Sequence, residues 1–331
     1  MGVIMKRLIK ILAAFAMILS NCTLIHAQES DKPLYLAIGD SVTYGYVLGG
    51  EPLTDECFAN ILAKDKGYSL QNESIVGNTA DGILSQFDSD EFCSYVKNAQ
   101  IITITCGGND LMQIVYEKTR ELYNSIYGKT ADTALTSNLD VTKILSDSSD
   151  SRFQMVELAA FTAVQKMDKK NGYLADFKKS IEDFISNLNE VISKIKELNP
   201  DVEIYMATQY NPYQHFSGTY KSIGTHIENC AKMLQEAVVD NADGHYTIVD
   251  VYTAFSGKTA EYCTATEDPI NLDFHPSVAG HAEIAKCFEE VVPEATTASI
   301  FGNGNIFIAL GVGVLLMVVA FVIYRKKKVV A

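Results

Sequence analysis

Short β-prone runs alternate with longer helical patterns along most of this chain. The stretches between the runs are long enough for crossover helices, which parallel strands require. The alternation therefore predicts the α/β class, with a central, mostly five-stranded parallel sheet covered by helices on both faces. The runs that we predict to be strands are Leu34 to Ile38, Ser69 to Glu73, Ile101 to Cys106, Glu203 to Thr208 and Tyr246 to Val251.

Apolar residues at spacings of three and four predict a core-facing helix from about Ala175 to a stop at Asn199-Pro200. A second helix is predicted from about Pro276 to Glu290, since proline is tolerated in the first turn. Between 111 and 173 the pattern weakens around a Ser/Thr/Asp-rich patch, and we interpret this stretch as a helical insertion. It enters directly after a strand end, so it is either a lid over a site or a helical decoration with a mobile surface loop.

Both ends of the chain carry the pattern of membrane targeting. Residues 1–27 combine basic residues with an apolar stretch, which predicts a signal peptide cleaved after Ala27, with lipidation of Cys22 as the alternative. Residues 306–324 lack any charge, close to the ~20 helical residues that span a bilayer, and a basic tail follows at 325–331. Because basic clusters mark the cytoplasmic side, we expect a single-pass protein of the cell membrane. Its domain at 28–300 is then extracellular and is joined to the span by a linker at 301–305.

The domain between these ends is strongly acidic. The ends hold seven of the 27 Lys and Arg residues and none of the 41 Asp and Glu residues, which leaves 20 basic against 41 acidic residues and a formal charge near −21. Such a surface repels phosphate backbones, so we expect no nucleic-acid partner. Six cysteines remain after signal removal, and although export permits disulfides, the sequence selects none of the fifteen pairings. Cys106 lies in an apolar run and is predicted to be a buried thiol.

Three polar loops that contain glycine follow the first three predicted strands. They are Gly39 to Ser41, Asn72 to Thr79 and Gly107 to Asp110. Each alone is more simply a turn with a helix cap. Together they place a serine hydroxyl, a glycine N–H and an asparagine amide at the edge where parallel sheets bind ligands. Attack of a serine on an ester carbonyl builds negative charge on the carbonyl oxygen, which such donors stabilise.

A histidine near the end of the domain supplies the base that this chemistry needs. A serine hydroxyl is a poor nucleophile until a base takes its proton, and a histidine suits that task near neutral pH. Only His275 combines a position after the last strand, a helix entry and a nearby carboxylate. The remaining histidines of the domain, at 215, 226, 245 and 281, are interpreted as ordinary polar residues.

These blocks together resemble those of the SGNH (GDSL-type) hydrolase family, in the same order and after the expected strands. The fourth family block is similar to His275-Pro276, and the resemblance runs from Leu34 to about Val292. It implies a flavodoxin-like three-layer α/β/α sandwich, with Ser41 as nucleophile and His275 as general base. It also implies an oxyanion hole formed by Ser41, Gly77 and Asn109, and no metal or organic cofactor.

One position departs from the family pattern. The family places the carboxylate of its triad three residues before the histidine, where this chain has Leu272, while Asp273 stands two before. Three readings follow: Asp273 orients the imidazole from an altered loop, a backbone carbonyl near Leu272 or Asp273 does so, or the more distant Asp268 does so. We expect Asp273, because the turn need only bend by one residue.

The sequence thus predicts a serine hydrolase that cleaves carboxylic esters through an acyl-enzyme. The resemblance implies a lipase or esterase, or a carbohydrate O-acetyl esterase, with a small-molecule, lipid or glycan ester as substrate. Tyr44 to Tyr46 and Asn211 to Tyr213 are expected to line the pocket, but tyrosines fit sugars and acyl chains equally well. The alternatives are a surface binding module without turnover and a phosphodiester hydrolase, although the sequence offers no cations or metal for the latter.

Overall fold

Five parallel strands form the central sheet in the part of the chain that the computed structural model describes, which is residues 32–130, 133–147 and 149–296. Their order is β2-β1-β3-β4-β5, the flavodoxin-like order. The predicted five-stranded parallel sheet is confirmed, and each predicted strand is found with its ends moved by at most two residues. The strands are β1 (Leu34–Gly39), β2 (Ser69–Asn72), β3 (Ala99–Thr105), β4 (Glu203–Ala207) and β5 (Thr247–Val249).

Helices fill most of the chain between these strands. The predicted long helix is α8, which ends at Leu198 as the Asn199-Pro200 stop requires. The helices are α1 (Ser41–Tyr44), α2 (Phe58–Lys66), α3 (Ala80–Gln86), α4 (Asp90–Asn98), α5 (Gly108–Ile126), α6 (Asn138–Leu145), α7 (Phe153–Met167), α8 (Leu174–Leu198), α9 (Lys221–Asp240), α10 (Val251–Phe255), α11 (Thr259–Tyr262) and α12 (Val278–Glu289). A short antiparallel hairpin, β6 (Thr266–Glu267) with β7 (Ile270–Asn271), precedes α12.

The sheet is buried on both of its faces. Leu36 and Ile38 of β1 lie in one core cluster with Phe184 and Leu188 of α8. On the opposite face, the hydroxyl groups of Tyr35 and Thr103 are 2.7 Å apart in the buried interior. Strands buried on both sides have no polar face, which is why they read in the sequence as near-continuous apolar runs.

The last helix begins later than its sequence pattern indicated. Ser277, not a residue before Pro276, is the N-cap of α12, and its hydroxyl accepts a hydrogen bond from the N–H of Gly280. Pro276 lies outside the helix, in an isolated bridge with Cys263. Ser277 is the N-cap because its side chain accepts a hydrogen bond from one of the free N–H groups of the first turn.

The predicted insertion is helical and has a small core of its own. The polar patch contains α6, which starts with a capping box between Ser137 and Asp140. Val141 and Ile144 of α6 pack in a cluster with Val156 of α7. The boundary predicted at 111 falls inside a helix, since α5 already begins at Gly108, directly after β3.

The predicted signal peptide, linker, membrane span and basic tail all lie outside the described residues. Leu34–Glu294 form one unit, and the second unit, 1–33 with 295–331, is described at only a few positions. Within the described ranges, no helix is both long and apolar enough to cross a membrane. The six cysteines of the predicted domain are free thiols, and Cys106 is buried, as predicted.

Candidate active site

The strand order places a crevice between the carboxyl ends of β1 and β3. In a 2-1-3-4-5 sheet the connections leave β1 and β3 in opposite directions, and ligands bind at that point. The loop at Gly39 to Ser41 leaves β1 there, and the loop at Gly107 to Asn109 leaves β3 beside it. The register pairs Gly39 with Thr105, so the two loops start at the same level of the sheet.

The turn after β1 requires a glycine, and the residue that caps the following helix is Asp40, not Ser41. Gly39 has a φ of +145°, and a Cβ atom there would lie 2.3 Å from the carbonyl oxygen of Thr105. Asp40 caps α1, because its carboxylate accepts from the N–H of Val42 at 3.0 Å. The same carboxylate accepts from the hydroxyl of Thr105, the last residue of β3, at 2.9 Å, and this bond ties the turn to the neighbouring strand.

The structure brings the side chains of Ser41, His275 and Asp273 into one hydrogen-bonded line. The Nε2 atom of His275 lies 2.8 Å from the Oγ atom of Ser41, and its Nδ1 atom lies 2.5 Å from Oδ1 of Asp273. An ionised carboxylate can only accept, so Nδ1 carries the proton and donates to Asp273. The Nε2 atom is then free to accept from the Ser41 hydroxyl, which is the arrangement that a general base needs.

Asp273 is the one of the three considered groups that contacts the imidazole. The carbonyl oxygen of Leu272 instead accepts from the Tyr213 hydroxyl at 2.7 Å. The carbonyl oxygen of Phe274 accepts from the Tyr210 hydroxyl at 3.0 Å. Asp268 lies between the two strands of the β6–β7 hairpin. Both tyrosines follow β4, so the hydroxyl groups of that loop are hydrogen-bonded to these two carbonyl oxygens, while the carboxylate of Asp273 faces the ring.

Burial and hydrogen bonds set the charge state of the two carboxyl groups at this site. Burial raises the pKa of Asp273, but the hydrogen bond and charge of His275, with the Thr264 hydroxyl, outweigh it and hold the pKa below its ordinary value. Burial raises the pKa of Asp40 to about 6, against the opposing hydrogen bonds from Val42 and Thr105. Asp273 is therefore ionised near neutral pH and can stabilise a protonated imidazole.

Two aromatic rings contact the imidazole of His275. The ring of Tyr46 lies 4.6 Å from it between centroids at a tilt of 46°, and the ring of Phe274 lies at the same distance with an interplanar angle of 29°. Such contacts restrict ring rotation, and aromatic faces also attract a cation. Tyr46 was predicted to line a substrate pocket, and the structure places it against the histidine.

Two of the three predicted oxyanion donors, Gly77 and Asn109, lie in adjacent loops. One N–H of the Asn109 side chain donates to the carbonyl oxygen of Asn78 at 3.0 Å, which orients the amide. A side-chain amide has two N–H donors, so the second remains available to a ligand. Gly77 precedes Asn78, has a φ of +79° and is exposed. The N–H of Ser41 is at the first position of α1, where no acceptor exists within the helix.

Comparison with known proteins assigns the family. The model of the GDSL-like lipase/acylhydrolase family matches residues 37–283, well over half of the chain. The chain belongs to this family. The resemblance predicted from the four sequence blocks is thereby confirmed.

This GDSL-family protein is also similar to a curated relative and to solved structures. It is 22% identical over 297 residues to the uncharacterized protein YpmR of Bacillus subtilis (strain 168), covering 85% of this chain and 93% of that protein. A phospholipase A1 from Streptomyces albidoflavus NA297 shares the fold with a TM-score of 0.50 and 16% identity, over 79% of this chain and all of the other. A lipase, Lip_vut3, from a goat rumen metagenome matches with a TM-score of 0.46 and 19% identity, over 78% and 96% of the two chains.

A largely apolar cavity of about 110 Å³ opens beside Ser41 in this GDSL-family protein. Asp40, Ser41 and Asn109 form its polar end. The rest of the wall comes from α5, α7, α8 and α9 and from the loop after β4; it includes Leu111, Met112, Val115, Met167, Phe177, Pro212, Tyr213, Ile227, Ala231, Leu234 and Phe274. Two of the three helices of the predicted insertion, α5 and α7, thus contribute side chains to the wall of the cavity.

Two other histidines of the domain have contacts away from this site. His226 pairs with Asp168 at 2.9 Å, and His281 is fully buried against the N-terminus of α2. Among the described residues, no group of three or more His, Cys, Asp and Glu side chains is placed to hold a metal ion. The contacts of Thr105, Thr264 and Tyr210 with the site were missed by the sequence reasoning, since nothing in their local pattern marks them.

Proposed function

We propose that this protein is a serine hydrolase that cleaves carboxylic esters through an acyl-enzyme on a flavodoxin-like three-layer scaffold. Membership of the GDSL-like lipase/acylhydrolase family supports ester hydrolysis. The observation that carries the proposal is the 2.8 Å contact between Ser41 Oγ and His275 Nε2, with Asp273 behind the ring. The same geometry on a polar surface would be a hydrogen-bonded cluster, but here Ser41 lines a largely apolar cavity together with Asn109.

The mechanism follows from these contacts. His275 takes the proton of Ser41 as Oγ attacks the ester carbonyl carbon, and the N–H groups of Ser41, Gly77 and Asn109 stabilise the oxyanion. Collapse of the intermediate breaks the ester bond, and the alcohol leaves with the proton from His275. Water then attacks the acyl-Ser41 carbonyl as it gives a proton to His275, and the acid leaves as His275 returns that proton to the Ser41 oxygen. Asp273 orients the ring and stabilises its protonated form.

The cavity favours an acyl chain several carbons long over an acetyl group. Its wall beyond the polar end is apolar, and each methylene transferred from water contributes roughly 0.8 kcal/mol. An acetyl group would leave that wall unoccupied. We therefore propose a lipase- or esterase-type activity on a small-molecule or lipid ester, ahead of sugar O-deacetylation.

A comparison of substrates tests this function. Full-length protein and its Ser41→Ala variant are assayed on nitrophenyl esters of increasing chain length, on acetylated oligosaccharides and on a nitrophenyl phosphodiester. We expect ester hydrolysis that disappears in the variant and favours longer acyl chains. No hydrolysis of any substrate would favour a binding module, and turnover of the phosphodiester would favour the rival chemistry. If acetylated sugars were the best substrates, sugar O-deacetylation would replace the lipase- or esterase-type activity as the proposed function.

We also propose, from the sequence pattern, that the domain is extracellular. The signal peptide at 1–27 would be cleaved, and the segment at 306–324 would cross the cell membrane with the basic tail at 325–331 inside. Protease added to intact cells is expected to digest the domain and to spare a short C-terminal fragment. Full protection of the domain would contradict this orientation.

A further inference from the structure

The carboxylate of Asp273 is held at both of its oxygens. Oδ1 faces Nδ1 of His275 and accepts from the backbone N–H of His275 at 3.4 Å, and Oδ2 accepts a hydrogen bond from the hydroxyl of Thr264 at 2.8 Å. The terminal torsion of an aspartate is broad, so contacts with Oδ1 alone leave the carboxylate plane free to turn. A second bond on the other oxygen fixes the plane of the carboxylate and keeps Oδ1 on the imidazole.

The hydroxyl of Thr264 has one proton and three acceptors within reach. The carbonyl oxygens of Asp273 and His275 each lie 3.0 Å from Oγ1, and Oδ2 of Asp273 lies nearer, at 2.8 Å. Hydrogen bonds to an ionised acceptor are shorter and roughly twice as strong as bonds to a neutral one. The proton therefore goes to the carboxylate.

Thr264 is itself fixed by backbone contacts that do not involve its hydroxyl. Its N–H donates to the carbonyl oxygen of His275 at 3.0 Å. Its carbonyl oxygen accepts from the side chain of Asn271 at 3.2 Å, and Asn271 in turn accepts from the N–H of Asp273 at 3.0 Å. Hydrogen bonds thus join the segment before β6 to the segment that follows it in β7 and beyond, on either side of the carboxylate.

We propose that Thr264 is a positioning residue, whose hydroxyl holds Asp273 in the orientation that lets His275 act on Ser41. This role rests on the proposed function. It explains how a carboxylate two residues before the histidine, rather than three, reaches the ring: the shorter spacing is accommodated by an anchor from the segment just before β6, nine residues earlier in the chain. Thr264 acts through Asp273 and is not part of the cavity wall.

Three variants of the full-length protein separate this role from a general structural one. Thr264→Val removes the hydroxyl at nearly constant shape, and Thr264→Ser keeps the hydroxyl. Thr266→Val is the matched control two residues further on, in β6, where the hydroxyl donates to the carbonyl oxygen of Pro269. Each is assayed for kcat and KM on a nitrophenyl ester and for the pH dependence of kcat/KM, with thermal unfolding as the test of folding.

We expect Thr264→Val to lower kcat by about tenfold or more with KM unchanged, as the loss of a hydrogen bond to a charged group implies. The acid limb of its kcat/KM profile should move to lower pH, because the protonated imidazole loses part of its carboxylate partner. Thr264→Ser should recover most of the activity, and Thr266→Val should behave as the wild type. If the valine variant does not fold, Thr264→Ala carries the same expectation.

Two results would overturn the inference. One is a folded Thr264→Val protein with wild-type kcat and pH profile, and the other is a serine variant as impaired as the valine variant. Both are distinct from failure of the proposed function, which would show as absence of Ser41-dependent hydrolysis in the wild type itself.

Discussion

Replacing Ala231 by phenylalanine tests whether the apolar cavity holds the acyl chain. Ala231 lies on α9, is buried and lines the cavity. Cavities of about 150 Å³ in protein cores bind benzene, so a phenyl ring occupies most of a space of about 110 Å³. The variant therefore fills the proposed chain site while the residues Ser41, His275 and Asp273 themselves stay unchanged.

The magnitude follows from the burial of methylene groups. Each methylene that enters the cavity contributes roughly 0.8 kcal/mol, so kcat/KM of the wild type should rise about fourfold for each added carbon until the cavity is full. In Ala231→Phe the added carbons stay in water, so the slope, which is the factor by which kcat/KM rises for each added carbon, should fall from about four towards one. The assay is kcat/KM on nitrophenyl esters from acetate to decanoate.

Lys232→Phe is the matched control for this experiment. Lys232 is the next residue of the same helix, is exposed and does not line the cavity, so the same bulk added there should leave the slope as in the wild type. The reasoning is refuted if acetate is the best wild-type substrate, or if the two phenylalanine variants show the same slope. Circular dichroism and thermal unfolding establish that both variants are folded.

Two further predictions concern charge. Asp273→Asn should lower kcat by roughly 10³-fold or more with the fold intact, because an amide N–H facing Nδ1 favours the tautomer in which Nε2 can no longer accept from Ser41. A stopped assay on one ester measures this loss. A loss below tenfold would contradict the role of Asp273. Burial and the nearby charge of His275 lower the pKa of His281 from 6.5 to about 4. Between these two pH values the unfolded chain binds a proton that the folded chain does not bind, so the free energy of unfolding falls as the pH drops from 6.5 towards 4. Urea unfolding should show the wild type losing about 3 kcal/mol relative to His281→Gln over that range, and parallel profiles for the two proteins would contradict the sign.

The strands and the loops that follow them could be predicted from the sequence because both are local patterns. A strand buried on both faces is an apolar run bounded by turn residues, as Leu34 to Ile38 and Ile101 to Cys106 show. The parallel sheet then brings the loop ends to one edge without further information. Ser41 and Asn109 could be chosen for this reason, and they do line one cavity in the structure.

The wall of the cavity and the support of Asp273 could not be predicted, because they depend on contacts between distant residues. The insertion helices have an ordinary amphipathic pattern, and nothing local shows that Val115 and Ala231 line the same cavity. The contact of Tyr213 with the carbonyl of Leu272 spans 59 residues, and a tyrosine before a turn resembles surface filler in the sequence. Thr264 is one threonine among several near the hairpin, and only the folded backbone shows which hydroxyl reaches the carboxylate.

Labelling with a fluorophosphonate tests the activated serine most directly. These reagents modify a serine hydroxyl that a neighbouring base has made nucleophilic. In full-length protein, peptide mass spectrometry should locate one adduct on Ser41, and labelling should be absent in Ser41→Ala and much slower in His275→Ala. A folded wild-type protein that remains unlabelled, or an adduct on a different residue, would contradict the proposal that Ser41 and His275 work as nucleophile and base.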